Sequence, residues 1–214
     1  MEKLAFAQGP AYNINIDIFN QIQHTITGWP GGKPDADDSQ RPERALPAQK
    51  RSIIFSPHPD DDVISMGGTF IRLVDQGHDV HVAYQTSGNT AVWDDDVLRY
   101  MEFAIDFNHS IGDGNTHLKK LYEDMRAFFA KKQPNQIDTQ EIRDVKGFIR
   151  KTEAISGARF AGLDDDHIHF QALPFYETGK TQKNSVSDKD VILTMELLQK
   201  VKPQQVLLAG DFAD

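Results

Sequence analysis

The sequence predicts an α/β fold in which helices cover both faces of a mostly parallel sheet. From residue 51 onward, short apolar runs alternate with longer stretches of helical periodicity. Strand–helix–strand units of this kind place successive strands parallel to one another. We therefore expect a three-layer sandwich over residues 51–214, within a chain of 214 residues that is long enough for one domain with a sizeable core.

The pattern starts with an apolar strand and an amphipathic helix. "SIIFSP" (52–57) is typical of a buried strand, and the run over 61–77 predicts one helix that begins at aspartates and ends before Gly77. "DVHVAYQTSG" (79–88) predicts the second strand. "DDDVLRYMEFAIDFN" (94–108) predicts the helix that follows it.

Two further helical stretches, 117–133 and 139–157, precede the third strand, "HIHFQAL" (167–173). A helix over 188–203 and a fourth strand, "QQVLLAG" (204–210), complete the pattern. Ligands bind at the carboxyl ends of the strands in such sheets. Three strands end in polar clusters, so the sequence predicts a site where "SPHPDDD", "QTSGN" and "GDFAD" come together.

The first fifty residues have a different composition. Residues 11–29 are mildly amphipathic and are compatible with a short strand or a helix. Residues 30–50, "PGGKPDADDSQRPERALPAQK", are rich in proline, glycine and charge, which is typical of a linker. We therefore expect residues 1–50 to be an N-terminal tail and inter-domain linker.

Composition excludes several classes of partner. The net charge of −9 argues against nucleic acid or an anionic membrane, because both attract basic surfaces. The chain has no cysteine, so a metal would have to be bound by His, Asp or Glu. No stretch is apolar for long enough to span a bilayer, and the acidic start is unlike a signal peptide. We therefore expect the protein to be cytoplasmic.

The sequence contains three Asp-Asp-Asp triplets, and the aspartates of each could either cap a helix or bind a metal. Aspartate caps helices and favours the positive end of the helix dipole, and we interpret the triplets at 94–96 and 164–166 as caps or solvated loops. The triplet at 60–62 differs, because it follows His58, held between Pro57 and Pro59, at the end of an apolar strand. Both prolines restrict the backbone and fix the direction of the imidazole.

A histidine and an aspartate three residues apart, at a strand-to-helix turn, are able to bind one cation together. Nitrogen and oxygen ligands without sulfur suit a catalytic zinc. His58 and Asp61 are the candidate ligands, and Asp60 between them is placed to accept a proton from an attacking water.

The stretch "PHPDDDVISMGGT" resembles the first signature of the PIG-L/LmbE-like deacetylases, in which His-Pro-Asp-Asp precedes an acid and a glycine-containing helix. The likeness extends over about residues 51–214. In detail, the chain is similar to the LmbE-like module fused C-terminal to glucosamine-6-phosphate deaminase in some bacteria, as "QTSGN" and "LPFYETGK" indicate. The resemblance implies a Rossmann-like fold and a tail that once joined the two domains.

The resemblance also implies a hydrolase that removes acetyl from an N-acetylglucosamine-type amide with zinc or another divalent metal. His58 and Asp61 match the family's two ligands of the first motif, and Asp60 matches its general base. Asp62 stands where the family commonly has glutamate; it keeps the charge and, since we expect a helix-cap residue here, the change should matter little. Asn89 stands where many members carry glutamate, so the chain departs from the family pattern in the loop that is expected to contact substrate.

Other candidate substrate contacts lie at the end of the second strand and on a later helix. Thr86 and Ser87 close the second strand and are candidate hydroxyls of the cleft. Arg150 and Glu153 resemble an arginine–glutamate spacing of the family, which implies contact with substrate. A surface ion pair between residues three apart on a helix is the alternative.

The family completes its metal site with a histidine after a strand like "QQVLLAGDFAD", and none of the eight histidines of this chain follows residue 169. We therefore expect a domain that is incomplete at its C-terminus, a weakly filled metal site and little or no catalysis. His78, His81, His167 and His169 belong to the amino ends of strands, away from the expected cleft, and are not expected to substitute.

Two alternatives remain beside the deacetylase hypothesis. In the first alternative, the domain is a non-catalytic sugar-binding or regulatory module of the fused deaminase. A nucleotide-binding protein is disfavoured, because "SMGGTF" is not the glycine-rich loop that binds phosphates in dinucleotide-binding folds.

Overall fold

The predicted α/β architecture is confirmed. The computed structural model describes residue 7 and residues 9–23, 49–112, 114, 116–180 and 182–210. Within these residues a four-stranded sheet has the order β3-β2-β1-β4, and every neighbouring pair is parallel. The strands are β1 (Arg51–Ser56), β2 (Asp79–Tyr84), β3 (Ile168–Phe170) and β4 (Gln205–Leu208).

Seven α-helices lie within the described residues, with short 3-10 turns at Asn89–Ala91 and Asp165–His167. They are α1 (Ala11–Gln23), α2 (Asp61–Ile64), α3 (Gly67–Asp75), α4 (Asp94–Ser110), α5 (Thr116–Phe129), α6 (Gln140–Phe160) and α7 (Asp188–Val201). The order of elements from residue 51 is therefore the predicted one, except that two helices, α2 and α3, replace the single helix predicted over 61–77.

The core explains why the sheet needs helices on both faces. β1 is central and buried from Ser52 to Ser56, so its side chains alternate between two apolar layers. On one face Ile54 packs in a cluster with Phe70 of α3 and Ala158 of α6. On the other face Ile53 and Phe55 pack with Val201 of α7.

A separate apolar cluster fixes the helices beyond the sheet. Val97 and Met101 of α4, Met125 of α5 and Ile142 of α6 are buried together. This cluster holds the amino-terminal part of α6 beside α4 and α5. The long helix α6 therefore extends from this cluster to the sheet core that contains Ala154 and Ala158.

The helix predicted over 61–77 is interrupted. α2 ends at Ile64, α3 begins at Gly67, and Met66 between them has φ −149° and ψ 23°, outside the helical region. Two consecutive glycines make the interior of a helix costly, so the pattern breaks there. Gly77 follows α3 with φ 74°, as expected for a glycine just past a helix end.

The described part of the amphipathic segment near the amino terminus, residues 11–23, is a helix rather than a strand. α1 ends at Gln23, and residues 24–48, which include His24 and most of the predicted linker, lie outside the described residues. Lys50 is buried and its peptide N–H donates to Nδ1 of His78. The tail and linker assignment of residues 1–50 stays a prediction. In the described part of the chain, every helix is too short or too polar to cross a membrane.

Candidate active site

The polar clusters that follow β1, β2 and β4 meet at one edge of the sheet. The turn after β1 is joined to the end of β2, because the N–H and Oγ1 of Thr86 both donate to the carbonyl of Pro57. After β4, a Cβ added to Gly210 would lie 3.0 Å from Cγ of Pro57. The described residues of all three clusters are therefore neighbours at the carboxyl ends of the strands.

Two prolines and a glycine set the shape of this turn. Pro57 and Pro59 restrict the backbone on both sides of His58. Oγ of Ser56 donates to the carbonyl of His58 at 2.6 Å. Gly88 has φ 64°, and a Cβ there would lie 2.7 Å from Cδ of Pro59, so the close approach requires glycine.

His58 and Asp61 are brought together by the turn. Oδ2 of Asp61 accepts from the peptide N–H of His58 at 2.8 Å and lies 3.2 Å from the ring atom Nδ1. The His58 side chain is 36% exposed and that of Asp61 is 10% exposed. A buried carboxylate and an open imidazole thus face each other at the mouth of the site.

Asp60 occupies the cap position of α2 without acting as a cap. Its side chain makes no capping hydrogen bond, and its Oδ2 lies 2.9 Å from Nη2 of Arg150 on α6. The carboxylate is 45% exposed, so solvent reaches it. Helix capping therefore does not account for this carboxylate, although it was the simplest alternative for the triplet.

Arg150 belongs to the site. Its side chain is 17% exposed and pairs with Asp60 at 2.9 Å and with Glu153 at 3.3 Å. The surface ion pair expected for residues three apart on a helix is present, but it is the longer of the two contacts. The guanidinium thus links α6 to the turn that carries His58.

The expectation that Asp62 acts as a helix cap is wrong. Asp62 is fully buried, and its carboxylate accepts from the hydroxyls of Tyr84, at 2.8 Å, and Ser56, at 3.3 Å. Burial raises the pKa of this carboxyl, and the hydrogen bonds from Tyr84 and Ser56 oppose that rise. Asp62 therefore fixes α2 to the core strands β1 and β2, a role that a solvent-facing cap would not have.

The loop after β2 is closed by a glutamate that the sequence patterns did not single out. One carboxylate oxygen of Glu177 accepts from the N–H of Ser87, at 2.8 Å. The other accepts from Oγ of Ser87, at 2.8 Å, and from Nδ2 of Asn89, at 3.3 Å. The signal available in the sequence was the acid in "LPFYETGK", a polar loop that follows the carboxyl end of β3.

Tyr176, next to Glu177, covers the imidazole. The rings of His58 and Tyr176 lie edge to face, with centroids 5.6 Å apart. The Tyr176 hydroxyl lies 2.8 Å from Oγ1 of Thr90, and Nζ of Lys183 lies 3.7 Å from the Tyr176 ring centroid. The loop after β3 thus forms one wall of the site.

A cleft of about 340 Å³ opens beside this turn. It is bounded by the turn through Pro59, by the loop after β2 and by one side of α6. Its lining residues are Pro59, Thr86, Ser87, Asn89, Gln140, Arg143, Asp144, Gly147, Phe148, Lys151, Phe170, Ala172 and Glu177. Three of the predicted substrate contacts, Thr86, Ser87 and Asn89, therefore line one cavity.

The donor set of the turn suits a divalent metal in part. Ligand atoms bound to a tetrahedral zinc at its usual bond lengths lie about 3.3 Å apart, and His58 Nδ1 and Asp61 Oδ2 are separated by 3.2 Å. Among the described residues, no further His, Asp or Glu joins them in a three-ligand cluster. His167 lies directly before β3, as the sequence predicted, whereas His81 is the third residue of β2 and His169 is the central residue of β3.

The other two triplets serve helices and loops. Asp94, in the first turn of α4, binds Lys132 at 2.8 Å and Lys146 at 2.6 Å. Asp165, in a 3-10 turn, pairs with Arg159 at 2.6 Å. These contacts agree with structural roles, although Asp94 is part of an ion network rather than a solvated cap.

Comparison with known proteins gives a family and a relative with a partly matching sequence. The sequence profile of the PIG-L family, described as GlcNAc-PI de-N-acetylase, matches residues 53–214. A protein of Bacteroides thetaiotaomicron described as "glucosamine-6-phosphate deaminase-like" is 53% identical over 207 residues, which are 96% of this chain and 31% of the relative. The chain thus spans about a third of the length of the curated relative that it matches. No solved structure matches it. With most of its length matched by the family profile, the chain belongs to the PIG-L (GlcNAc-PI de-N-acetylase) family.

Proposed function

We propose that this domain is a metal-dependent hydrolase that removes the acetyl group from an N-acetylated amino sugar. The observation that carries the proposal is the arrangement after β1, where Asp60 is free of any capping bond, is held by Arg150 and stands beside the His58–Asp61 pair. A carboxylate oriented in this way, exposed to solvent next to two potential metal ligands, is suited to general-base catalysis.

The residues have separate roles in this proposal. His58 and Asp61 would hold the ion, which polarises the acetyl carbonyl and makes water a better nucleophile. Asp60 takes a proton from the attacking water, whose oxygen bonds to the acetyl carbon. The C–N bond then breaks, Asp60 returns the proton to the departing nitrogen, and acetic acid and the free amine leave; at neutral pH the acid gives its proton to the amine, so the products are acetate and the ammonium form of the sugar.

The cleft supports a sugar as substrate. Phe148, 64% exposed, and Phe170 offer apolar surface, while Ser87, Asn89 and Glu177 offer polar atoms. A pocket with apolar walls and a few oriented polar groups is typical of small-molecule sites. We propose that Thr86, Ser87 and Asn89 contact the sugar, and that Arg150 contacts it in addition to orienting Asp60.

Activity should require one more ligand. Catalytic zinc sites use three protein ligands, and the proposal assigns two, His58 and Asp61. Since no histidine follows residue 169, we expect this chain to bind zinc weakly and to hydrolyse little. The match to part of a deaminase-like relative supports a parent protein in which a deaminase domain is fused to this one.

The test compares this chain with a chimera that continues it with the segment following the matched region in the Bacteroides thetaiotaomicron relative. Zinc per chain is measured after dialysis, and acetate release is measured with N-acetylglucosamine and its 6-phosphate. We expect tight zinc and acetate release from the chimera alone. Asp60→Asn in the chimera is the control, and it should retain zinc and lose acetate release.

The non-catalytic alternative predicts a different result. A sugar-binding module would bind either sugar, measured by calorimetry, with or without zinc, and would release no acetate in either form. Tight zinc together with acetate release by the 214-residue chain would contradict the need for a third ligand.

A further inference from the structure

A second cluster of potential metal ligands lies at the opposite edge of the sheet. Asp79 begins β2 and His81 follows two residues later, on the same face of the strand. His167 lies directly before β3. Asp79 is paired in register with Arg51 at the start of β1, whereas the candidate active site follows Ser56 at its end, about 16 Å away along the strand.

The distances in this cluster suit a tetrahedral ion. Oδ1 of Asp79 lies 3.3 Å from Nε2 of His81 and 3.2 Å from Nε2 of His167. Ligand atoms at usual zinc bond lengths lie about 3.3 Å apart in a tetrahedral site. In the described part of the chain these three residues alone offer three ligand atoms that all lie within 4.8 Å of one another.

The partners that usually orient such ligands are also present. Nε of Arg51 donates to Oδ2 of Asp79, which leaves Oδ1 to face the two histidines. Nδ1 of His81 lies 3.1 Å from Nε2 of His169, so an Nδ1–H would donate there and leave Nε2 of His81 free to bind. Metal-binding histidines and carboxylates are commonly fixed by such outer hydrogen bonds.

The ring of His167 presents one nitrogen to the cluster. Nε2 of His167 faces Oδ1 of Asp79 at 3.2 Å, while Nδ1 of the same ring is buried with no hydrogen-bond partner among the described residues. Nε2 is therefore the atom of His167 that would bind an ion together with Asp79 and His81.

We propose that Asp79, His81 and His167 bind one divalent transition-metal ion, with zinc as the working example, at the amino-terminal edge of the sheet. Asp79 and His167 are partly exposed, with side chains 39% and 34% accessible, so a fourth position is open to water. The ion would join the start of β2 to the turn before β3, two elements that meet at the end of the sheet away from the cleft. Its role is therefore to stabilise the fold, independently of hydrolysis.

The test requires that the active site contribute no zinc. In a chain that carries His58→Ala and Asp61→Ala, zinc affinity is measured by competition with a chromophoric chelator, and the thermal midpoint is measured with zinc and with EDTA. We expect one zinc per chain and a higher midpoint with zinc. His167→Gln added to this background should weaken zinc binding at least tenfold and abolish the shift in midpoint.

Two further variants separate metal binding from packing. Arg51→Gln should weaken zinc binding by about 10- to 100-fold, because it removes the partner that orients Asp79. His109→Gln, an exposed histidine of α4, is the matched control and should leave the affinity unchanged. Circular dichroism in EDTA checks that each variant is folded.

X-ray absorption at the zinc edge gives a readout that does not depend on the variants folding well. The background chain should show two imidazole ligands and one or two oxygens. Absence of zinc binding in the background chain, or zinc binding that His167→Gln leaves unchanged, would overturn the proposal. Because the active-site ligands are removed throughout, this result is independent of whether the domain hydrolyses an amide.

Discussion

Nη2 of Arg150 lies 2.9 Å from Oδ2 of Asp60, and this contact links α6 to the turn that follows β1. α6 also lines the cleft through Gly147, Phe148 and Lys151. The helix therefore positions the proposed general base and forms a wall of the substrate cleft at the same time. The pair connects the chemistry proposed for Asp60 with the packing of the longest helix in the described part of the chain.

Replacing Arg150 should slow hydrolysis without removing zinc. In the zinc-competent chimera, Arg150→Gln removes the cation that orients Asp60, and a poorly aligned base lowers the rate by roughly 10- to 100-fold. Acetate release is measured together with zinc per chain. Glu153→Gln is the control, since it removes the other partner of Arg150 and should change the rate little. A rate that falls equally in both variants would contradict a specific role for the Asp60 contact.

Asp60 and Asp61 should differ when each is replaced. In the chimera, Asp61→Ala removes a proposed ligand that lies 3.2 Å from His58 Nδ1, and zinc affinity should fall at least tenfold. Asp60→Asn keeps the shape of the side chain and removes its ability to accept a proton, so zinc should remain while acetate release is lost. Equal zinc loss in the two variants would show that the roles are misassigned.

The strand–helix order and the meeting of the polar strand ends were predictable from local patterns. Apolar runs and helical periodicity gave the elements of the sheet, and parallel strands place their carboxyl ends at one edge. His58, Thr86 and Gly210 meet at that edge through the Pro57 turn. The identity of the family followed from the same short motif.

Side-chain partners distant in sequence were not predictable in this way. Glu177 is 90 residues from Ser87, and nothing in the local pattern indicates that its carboxylate closes the loop after β2. Asp62 looked like a cap because it lies in the first turn of a helix, but its buried role depends on the hydrogen bond from Tyr84 of β2, which is distant in sequence. The cluster of Asp79, His81 and His167 likewise forms only when β2 and β3 pair.

Gly88→Ala should disturb the turn that carries His58. Gly88 has φ 64°, which costs an alanine about 1–2 kcal/mol, and the added Cβ would lie 2.7 Å from Cδ of Pro59. We expect lower stability in urea unfolding and weaker zinc binding in the chimera, because Pro59 must shift. Gly68→Ala is the matched control, since a Cβ at Gly68 meets no atom within 4 Å and lies in helix α3. Similar losses in both variants would contradict the steric argument.

Asp94 should contribute stability that is lost in acid. Burial raises the pKa of Asp94, but hydrogen bonds from Lys132 and Lys146 outweigh burial and hold the pKa below its usual value. A carboxylate with a lowered pKa in the folded state stabilises the fold above its unfolded pKa, and this contribution disappears as pH falls through the folded pKa.

Asp94→Asn should therefore lower the free energy of unfolding at pH 7 by about 1.5 kcal/mol. This is the low end of the range for hydrogen bonds to charged groups, chosen because a third of the Asp94 side chain is exposed to solvent. The difference from the wild-type chain should vanish in acid. Asp95→Asn is the control, because Asp95 is exposed and lies in the same helix turn. This variant measures the effect of removing a charge near the positive end of the helix dipole. Urea unfolding at several pH values measures both, and a pH-independent difference for Asp94→Asn would contradict the ion-network argument.

Glu177→Ala should open the loop after β2 and weaken substrate binding more than it weakens zinc binding. Its carboxylate accepts from the N–H and hydroxyl of Ser87 and from the amide of Asn89, a buried residue, so the variant leaves three donors without their partner. The loss of hydrogen bonds to a charged acceptor predicts a stability decrease of about 1.5–3 kcal/mol in urea unfolding.

In the chimera, KM for the N-acetylated sugar should rise while zinc per chain stays the same, because Ser87 and Asn89 line the cleft and His58 and Asp61 are untouched. Glu196→Ala, an exposed glutamate of α7, should change none of these quantities. An unchanged KM in a folded Glu177→Ala chimera would remove the loop after β2 from the proposed substrate site.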